Sequence, residues 1–498
     1  MGLDIGTKPS QPVVTDVAFS VEKHGVDLIP DAERHGSPFE LFWVWLGANI
    51  IFTDIIVGAV IVTFGLGFWP SLLAIFVGNL FLVFVGLGAI SGPRTGTATL
   101  AASRSAFGIF GNIPAAFLSW ITLVGWEAVY LVIGTLALYQ LAIGVHVPGG
   151  TATKAVCLAI TMLVTFSMAL LGHQTIVVLQ RWFAVALGVG TLVLAGFVIP
   201  KTHLHYATAP LAASTPFTSW LLALLVVAAG ALSYANYGAD YSRYLPRRTR
   251  PRSVVLWTTL GCFVPLMFIN YLGLAAATAT NMSNEVAGIE RLVPGWFGTL
   301  YLAIIVGGGI TNNFLNCYSS GLSLLSTGIK MPRTRSVLLD AVIGGGMAVY
   351  AVFVYNFTNS FIEFLSLMVA WLAPWCAIYL TDMLMRRARY SPKDLFARNG
   401  AYWYSRGWNW RAIAAFVLGI VGALLFANAP LYQGPLIGLI GNGDISIYVG
   451  FVVAAVTYYL LMRGTIRIQA AEAARLAVAQ SAAAAAQDGA PEVEGTAR

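Results

Sequence analysis

Of 498 residues, 58% are hydrophobic and only 10% charged, against roughly 25% charged in a soluble chain, and the mean hydropathy is +0.77. That excludes a soluble globular enzyme. The formal charge of +7 follows the loops that separate apolar runs, so no nucleic-acid partner is read into it.

Residues 1–38 are polar and contain no short apolar core with a cleavage site, so no signal peptide is expected. Twelve apolar runs follow, each about as long as a bilayer-crossing helix: 40–66, 69–91, 112–142, 152–171, 178–200, 217–238, 254–279, 296–327, 337–356, 359–384, 411–428 and 446–463. The alternation of a membrane β-barrel is absent. The expected fold is an all-α integral membrane protein with 12 transmembrane helices. If the N-terminus is cytoplasmic, every Lys and Arg except Lys154, Lys201 and Arg291 falls on the inner side, as the positive-inside rule requires. Both termini are then cytoplasmic, with a cytoplasmic loop at 386–410, two last spans within 411–465 and a tail at 466–498. The tail is Ala-rich from about Ala470, suited to a short helix that frays, and Gln487 to Arg498 reads as disordered.

Span one, FWVWLGANIIFTDIIVGAV, carries Gly47, Asn49, Thr53 and Asp54 near its middle. Span six, VVAAGALSYANYGADYSRY, carries Gly230, Ser233, Tyr234 and Asn236 in a similar place. Bundles that move polar solutes often consist of two inverted five-helix repeats whose first helices are broken at mid-membrane, freeing backbone groups for ion and substrate. Small residues also let helices pack closely; their presence at corresponding positions favours breaks. Repeats at 39–200 and 201–385 are expected.

Span three carries Trp126, Glu127 and Tyr130. Trp126 and Tyr130, four apart, share a face with Leu123; such a pair serves packing or offers a stacking platform for a flat heterocycle. Glu127 lies about 100° round the helix. An intramembrane carboxyl there could accept two hydrogen bonds from a substrate, carry a coupling proton or pair with another helix. Asp54 and Glu363 raise the same question. Asp240 and Ser242, at the end of span six, suit a tie to a neighbouring helix, with Arg243 marking the inner interface.

Span eight holds the polar seam ITNNFLNCYSSGLSL from Ile310 to Leu324. Thr311, Asn312, Asn313, Asn316, Ser319 and Ser320 would each be costly in lipid unless they line a path or grip a solute. Amides supply donor and acceptor together, which matches a neutral heterocycle better than an anion. The four cysteines fall in spans without paired spacing and read as small buried hydrophobes.

These segments resemble the purine–cytosine permease branch of the nucleobase:cation symporter family over about residues 37 to 465. The likeness rests on Trp45 and Asn49, on Gly125-Trp126, on the run Ala239-Asp240-Tyr241-Ser242-Arg243-Tyr244-Leu245-Pro246, and on Asn312-Asn313-x-x-Asn316-x-Tyr318-Ser319. The resemblance implies a LeuT-like five-plus-five repeat with spans eleven and twelve outside it, and a substrate at mid-membrane between spans one, three, six and eight. Trp126 would stack on the base, Asn313 and Asn316 would read its edge, and Asn312 would support them. Asn49, Thr53, Glu127, Tyr130, Ser233 and Tyr234 complete the expected substrate set. Three departures stand out. Tyr130 replaces an asparagine common in fungal-type relatives. Ala231 falls near a second Trp of hydantoin-transporting relatives. Ile310 replaces one of two hydroxyl residues that hold sodium, leaving Thr311 as a partial metal site.

The expected function is a plasma-membrane symporter importing cytosine or a related nucleobase with H+ or Na+, by alternating access and without a cofactor. The proton is slightly favoured, with Glu127 or Asp54 as carrier. Rival substrates are allantoin, hydantoin, uracil or a thiamine precursor. A rival class, an integral-membrane enzyme, lacks a catalytic constellation: all six histidines lie outside spans or at their ends.

Overall fold

The protein is described by a computed structural model over residues 27–169, 173–282, 284–329, 332–355 and 357–488. The expectations for Lys8, Lys23 and Lys330, for the side chains of Arg181, Tyr318 and Arg333, and for residues 489–498 lie outside the described residues.

The described spans are helical because long apolar runs leave backbone groups no other partners in a bilayer. Span one is two helices, Glu40–Ala48 and Phe52–Val60 with a 3-10 extension to Phe64, bent by 68° at 49–51. Spans two and three are Phe68–Thr95 and Ile113–Gly144, four and five Thr151–Ala169 and His173–Val198. Span six is Pro216–Ser242, seven Pro251–Ala279, eight Gly295–Ser326 and nine Arg333–Phe353. Spans ten, eleven and twelve are Phe357–Met385, Trp410–Leu425 and Ser446–Asp488. A short helix, Glu285–Leu292, joins seven to eight. Among the described residues, eight helices are long and apolar enough to cross a membrane, nine with the bent pair; parts of spans four, five and eleven are shorter apolar helices.

The two expected breaks differ in degree. In span one, Asn49 donates its amide Nδ2 to the Trp45 carbonyl at 2.7 Å, closing the first half-helix, and Ile51 is extended at φ −137° and ψ 148°. Span six keeps its course, but α-geometry stops at Leu232 and resumes at Gly238 after a 3-10 turn over Ala235–Tyr237. Ser233 turns its hydroxyl back to the Gly230 carbonyl at 2.6 Å. Beyond Ala470 the Ala-rich tail continues span twelve as helix, as the helix propensity of its alanines favours; Gln487 and Asp488, expected to be disordered, still belong to it.

Spans one, two, six and seven interlock through glycines. A Cβ on Gly58 would lie 1.9 Å from the Asn270 carbonyl oxygen, and one on Gly273 2.0 Å from that of Ile55. Span two meets span six the same way, Gly78 against Val227 and Gly238 against the Val85 carbonyl. Spans three and eight instead meet their neighbours through side chains, Gly125 under the Phe364 ring and Gly308 under Leu187. The ties at the end of span six are present too: Asp240 Oδ1 accepts from the backbone and hydroxyl of Thr99, both at 2.8 Å, and Ser242 donates to the Ala89 carbonyl at 2.7 Å.

Candidate functional site

A cavity of about 60 Å³ lies where spans one, three, six and eight meet. Its walls are Trp45 and Ala48 of span one, Leu123, Trp126 and Tyr130 of span three, Ser233, Tyr234, Tyr237 and Tyr241 of span six, and Asn312, Asn316 and Ser319 of span eight. That volume is far below the ~300 Å³ at which pockets for drug-sized ligands begin. It is also below the ~150 Å³ of a dry cavity that holds benzene, so a planar ring enters only as the walls move apart.

Aromatic rings make most of the wall. Trp126 stands edge-on to Phe364 at 5.3 Å and Phe361 at 6.1 Å, which fixes its plane and leaves the indole against the cavity. Trp45 stands edge-on to Tyr234 at 5.7 Å and Tyr241 at 5.3 Å. The Nε1 atoms of both tryptophans are buried without a hydrogen-bond partner. So is Nδ2 of Asn316, while Asn312 donates to the Tyr130 hydroxyl at 3.4 Å. Unpartnered donors around a cavity await acceptors, because leaving them unmatched costs about 1–3 kcal/mol each.

Of the sequence-derived set, Trp126, Tyr130, Ser233, Tyr234, Asn312 and Asn316 line this cavity. The others do not. Asn313 donates Nδ2 to the Glu127 carbonyl at 3.1 Å, so it braces span eight against span three. Asn49 is taken by Trp45, as described. Glu127, fully buried, faces Cys317, Ser320 and Asp340 on spans eight and nine, as its 100° offset from Trp126 dictates. Thr53 lines an adjoining gap of about 10 Å³ with Ile51, Tyr130 and Asn312, room for about one water. Asp54 is buried just beyond the bend and its Oδ2 is unpartnered. Thr311 turns its hydroxyl back to the carbonyls of Gly307 and Gly308 at 3.0 and 3.1 Å. It is the sole side-chain oxygen the sequence assigns to sodium, and hard cations take six or more oxygens; the residues fit such an ion poorly.

Sequence reasoning left out Ala48 and Tyr237 as site residues and used Trp45 and Tyr241 only as family marks. Tyr234, Tyr237 and Tyr241 recur at three- and four-residue steps, a helix-face signal that could have found the last two. Ala231, where a second indole was sought, is buried in the same apolar cluster as Trp45 and Tyr234 but does not line the cavity; Tyr234 and Trp45 do. Glu363 accepts from the Leu431 amide at 2.7 Å, a structural tie.

Two larger spaces are less apt. One of about 550 Å³ between spans three, nine and ten is walled mainly by apolar side chains such as Val129, Phe364 and Leu367. One of about 310 Å³ opens at the end away from the N-terminus, between Val60, Thr63, Thr280, Asn281 and Thr358; it has the position of a vestibule.

The sequence matches, over residues 28–450, the family described as permeases for cytosine/purines, uracil, thiamine and allantoin. It is 31% identical to a Bacillus subtilis protein named as a purine-cytosine permease, YxlA, over 91% of this chain and 98% of that one. It is 26% identical to the purine-cytosine permease fcyB of Emericella nidulans, covering 89% and 88%. The inward-facing structure of Mhp1, a nucleobase-cation-symport-1 family transporter, superposes with a TM-score of 0.71 at 20% identity, covering 90% of this chain and 96% of Mhp1. These relatives are transporters and not enzymes, and the fold is LeuT-like. The chain belongs to the family of permeases for cytosine/purines, uracil, thiamine and allantoin, and is a multi-pass membrane transporter.

Proposed function

We propose that the protein is a plasma-membrane symporter that imports cytosine or a closely related nucleobase with a cation by alternating access. The observation that carries this reading is the lining of the cavity: Trp126, Trp45 and Tyr234 bound it, with the unpartnered Asn316 amide in its wall. A pyrimidine presents two π-faces for such walls and an edge rich in acceptors for such a donor. The names of the relatives, purine-cytosine permeases, point the same way.

Entry from the outside would pass the vestibule at Thr63 and Thr280, and the Lys/Arg distribution supports cytoplasmic termini. The two repeats would be 39–200 and 201–385, with spans eleven and twelve outside them. The poor oxygen set at Thr311 favours a proton over sodium as coupling ion. Tyr130, in place of an asparagine, supports a second reading in which a sibling heterocycle such as uracil or allantoin is the substrate. The test is uptake of radiolabelled cytosine into cells lacking their own permeases, with and without sodium and a protonophore. Unlabelled purines, uracil, allantoin, hydantoin and thiamine compete. Saturable uptake lost with the protonophore supports the reading; absent cytosine uptake in expressing cells, with no uptake of the panel compounds when these are labelled in turn, sinks it.

A further inference from the structure

A second polar cluster lies behind the substrate cavity, between spans three, eight and nine. Its centre is a pair of carboxyls, Glu127 and Asp340, each with no solvent exposure. Asp340 is held on both oxygens: Oδ1 accepts from Trp120 Nε1 at 2.9 Å and Oδ2 from the Ser320 hydroxyl at 2.7 Å. Glu127 is different. Neither of its oxygens accepts a hydrogen bond, although Cys317 and Ser320 face it and Asp340 is within electrostatic reach.

Among the described residues, no cation answers the pair. Of these, span eight offers the Cys317 thiol and the Ser320 hydroxyl; span nine offers Asp340, with Arg335 exposed at its start. On span four, Lys154 sits over the Tyr139 ring at the helix end. On span ten, Glu363 is taken by the Leu431 amide. On the short helix before span eight, Glu290 and Arg291 lie beyond the membrane-spanning stretch. Two buried carboxyls that share Ser320 as a neighbour, with no compensating charge, cannot both ionise cheaply. In this conformation the pair holds a proton.

We infer that Glu127 and Asp340 form a proton-binding site, distinct from the substrate cavity, that carries the coupling ion. The proposal rests on the symporter reading and names its ion site. A proton taken up from one side binds a carboxylate of the pair and is released to the other side after the bundle has switched; no bond other than O–H forms or breaks. Two wires tie the pair to the cavity. Asn313, next to the cavity residue Asn312, holds the Glu127 carbonyl. Ser119, beside Trp120, accepts from Asn236 in the loosened part of span six at 2.7 Å and meets Ser323 at 3.3 Å. Loading the pair thus biases the same segments that grip the substrate, and the coupling is reciprocal.

The test uses the purified full chain in proteoliposomes. With one proton per substrate, a gradient of one pH unit sustains about tenfold accumulation. Wild type should accumulate substrate under a pH gradient. Glu127→Gln and Asp340→Asn should still exchange labelled for unlabelled substrate but accumulate none above equilibrium. Infrared difference spectra provide a reading independent of any substrate: the carbonyl band of a protonated carboxylic acid should be present in wild type and lost in Glu127→Gln. Gradient-driven accumulation that survives both substitutions, or is indifferent to pH in wild type, overturns the proposal. So does the absence of a protonated-carboxyl band that Glu127→Gln removes. If no compound of the panel is taken up by wild type, the symporter reading fails, while the infrared band still decides whether the pair holds a proton.

Discussion

Asn316→Ala separates a substrate contact from a structural one. The amide nitrogen of Asn316 is buried without a partner in the wall of the cavity, so removing it deletes no hydrogen bond from the empty protein. Stability should therefore stay level or rise, because a buried unsatisfied donor costs about 1–3 kcal/mol. Substrate should bind less well by a similar amount, since its acceptor loses the amide inside a desolvated pocket; about 1–3 kcal/mol is roughly a 5- to 150-fold rise in KM. Asn313→Ala is the internal contrast. Its Nδ2 is already engaged by the Glu127 carbonyl at 3.1 Å, so its loss should lower the melting temperature. The assay is radiolabelled uptake for KM, paired with thermal unfolding of detergent-purified protein. An Asn316→Ala protein that melts well below wild type, with KM unchanged, would refute the reasoning.

Trp126→Ala should weaken substrate affinity by about 1–3 kcal/mol, the worth of one base–aromatic stack, and Trp126→Phe should restore part of it; equal KM in all three proteins would count against stacking. Asp382→Ala should destabilise the fold by about 3–5 kcal/mol, because Asp382 is fully buried and accepts from Ser105, Arg386 and Tyr458 at 2.7, 2.8 and 2.7 Å; size-exclusion profiles and melting curves read this. Gly58→Ala should abolish folded protein or transport, since its methyl would overlap the Asn270 carbonyl, whereas Gly47→Ala, with open space around it, should be tolerated; comparable surface expression and uptake in both would contradict the interlock.

Much of this was legible because bilayer length and backbone satisfaction leave few choices. Each expected apolar run has a helix at its core among the described residues, and the bend in span one falls at Asn49, where small and polar residues interrupt the run. The site was legible where a side chain's direction follows from helix spacing, as for Trp126 and Tyr130. It was not legible where direction depends on which neighbour a face meets. Asn312, Asn313 and Asn316 look equivalent in the seam, yet a 100° turn sends Asn313 to span three and away from the cavity. Likewise Glu127 adjoins Trp126 in the chain but faces Asp340, and no pattern in the sequence ties a position in span three to one in span nine. The helix beyond Ala470 was legible in its alanines, which suffice to continue a helix already begun; its extent to Asp488 was not.

The glycine interlock among spans one, two, six and seven has a mechanical consequence. Helices whose backbones touch have no compressible layer between them, so this quartet behaves as one lever and transmits a push at any point to all four members. Spans three and eight stand outside it, meeting spans ten and five through the Phe364 ring and Leu187. Substitutions on those cushioned faces should tune speed and selectivity by degrees, whereas a single added carbon inside the lever should stop it outright.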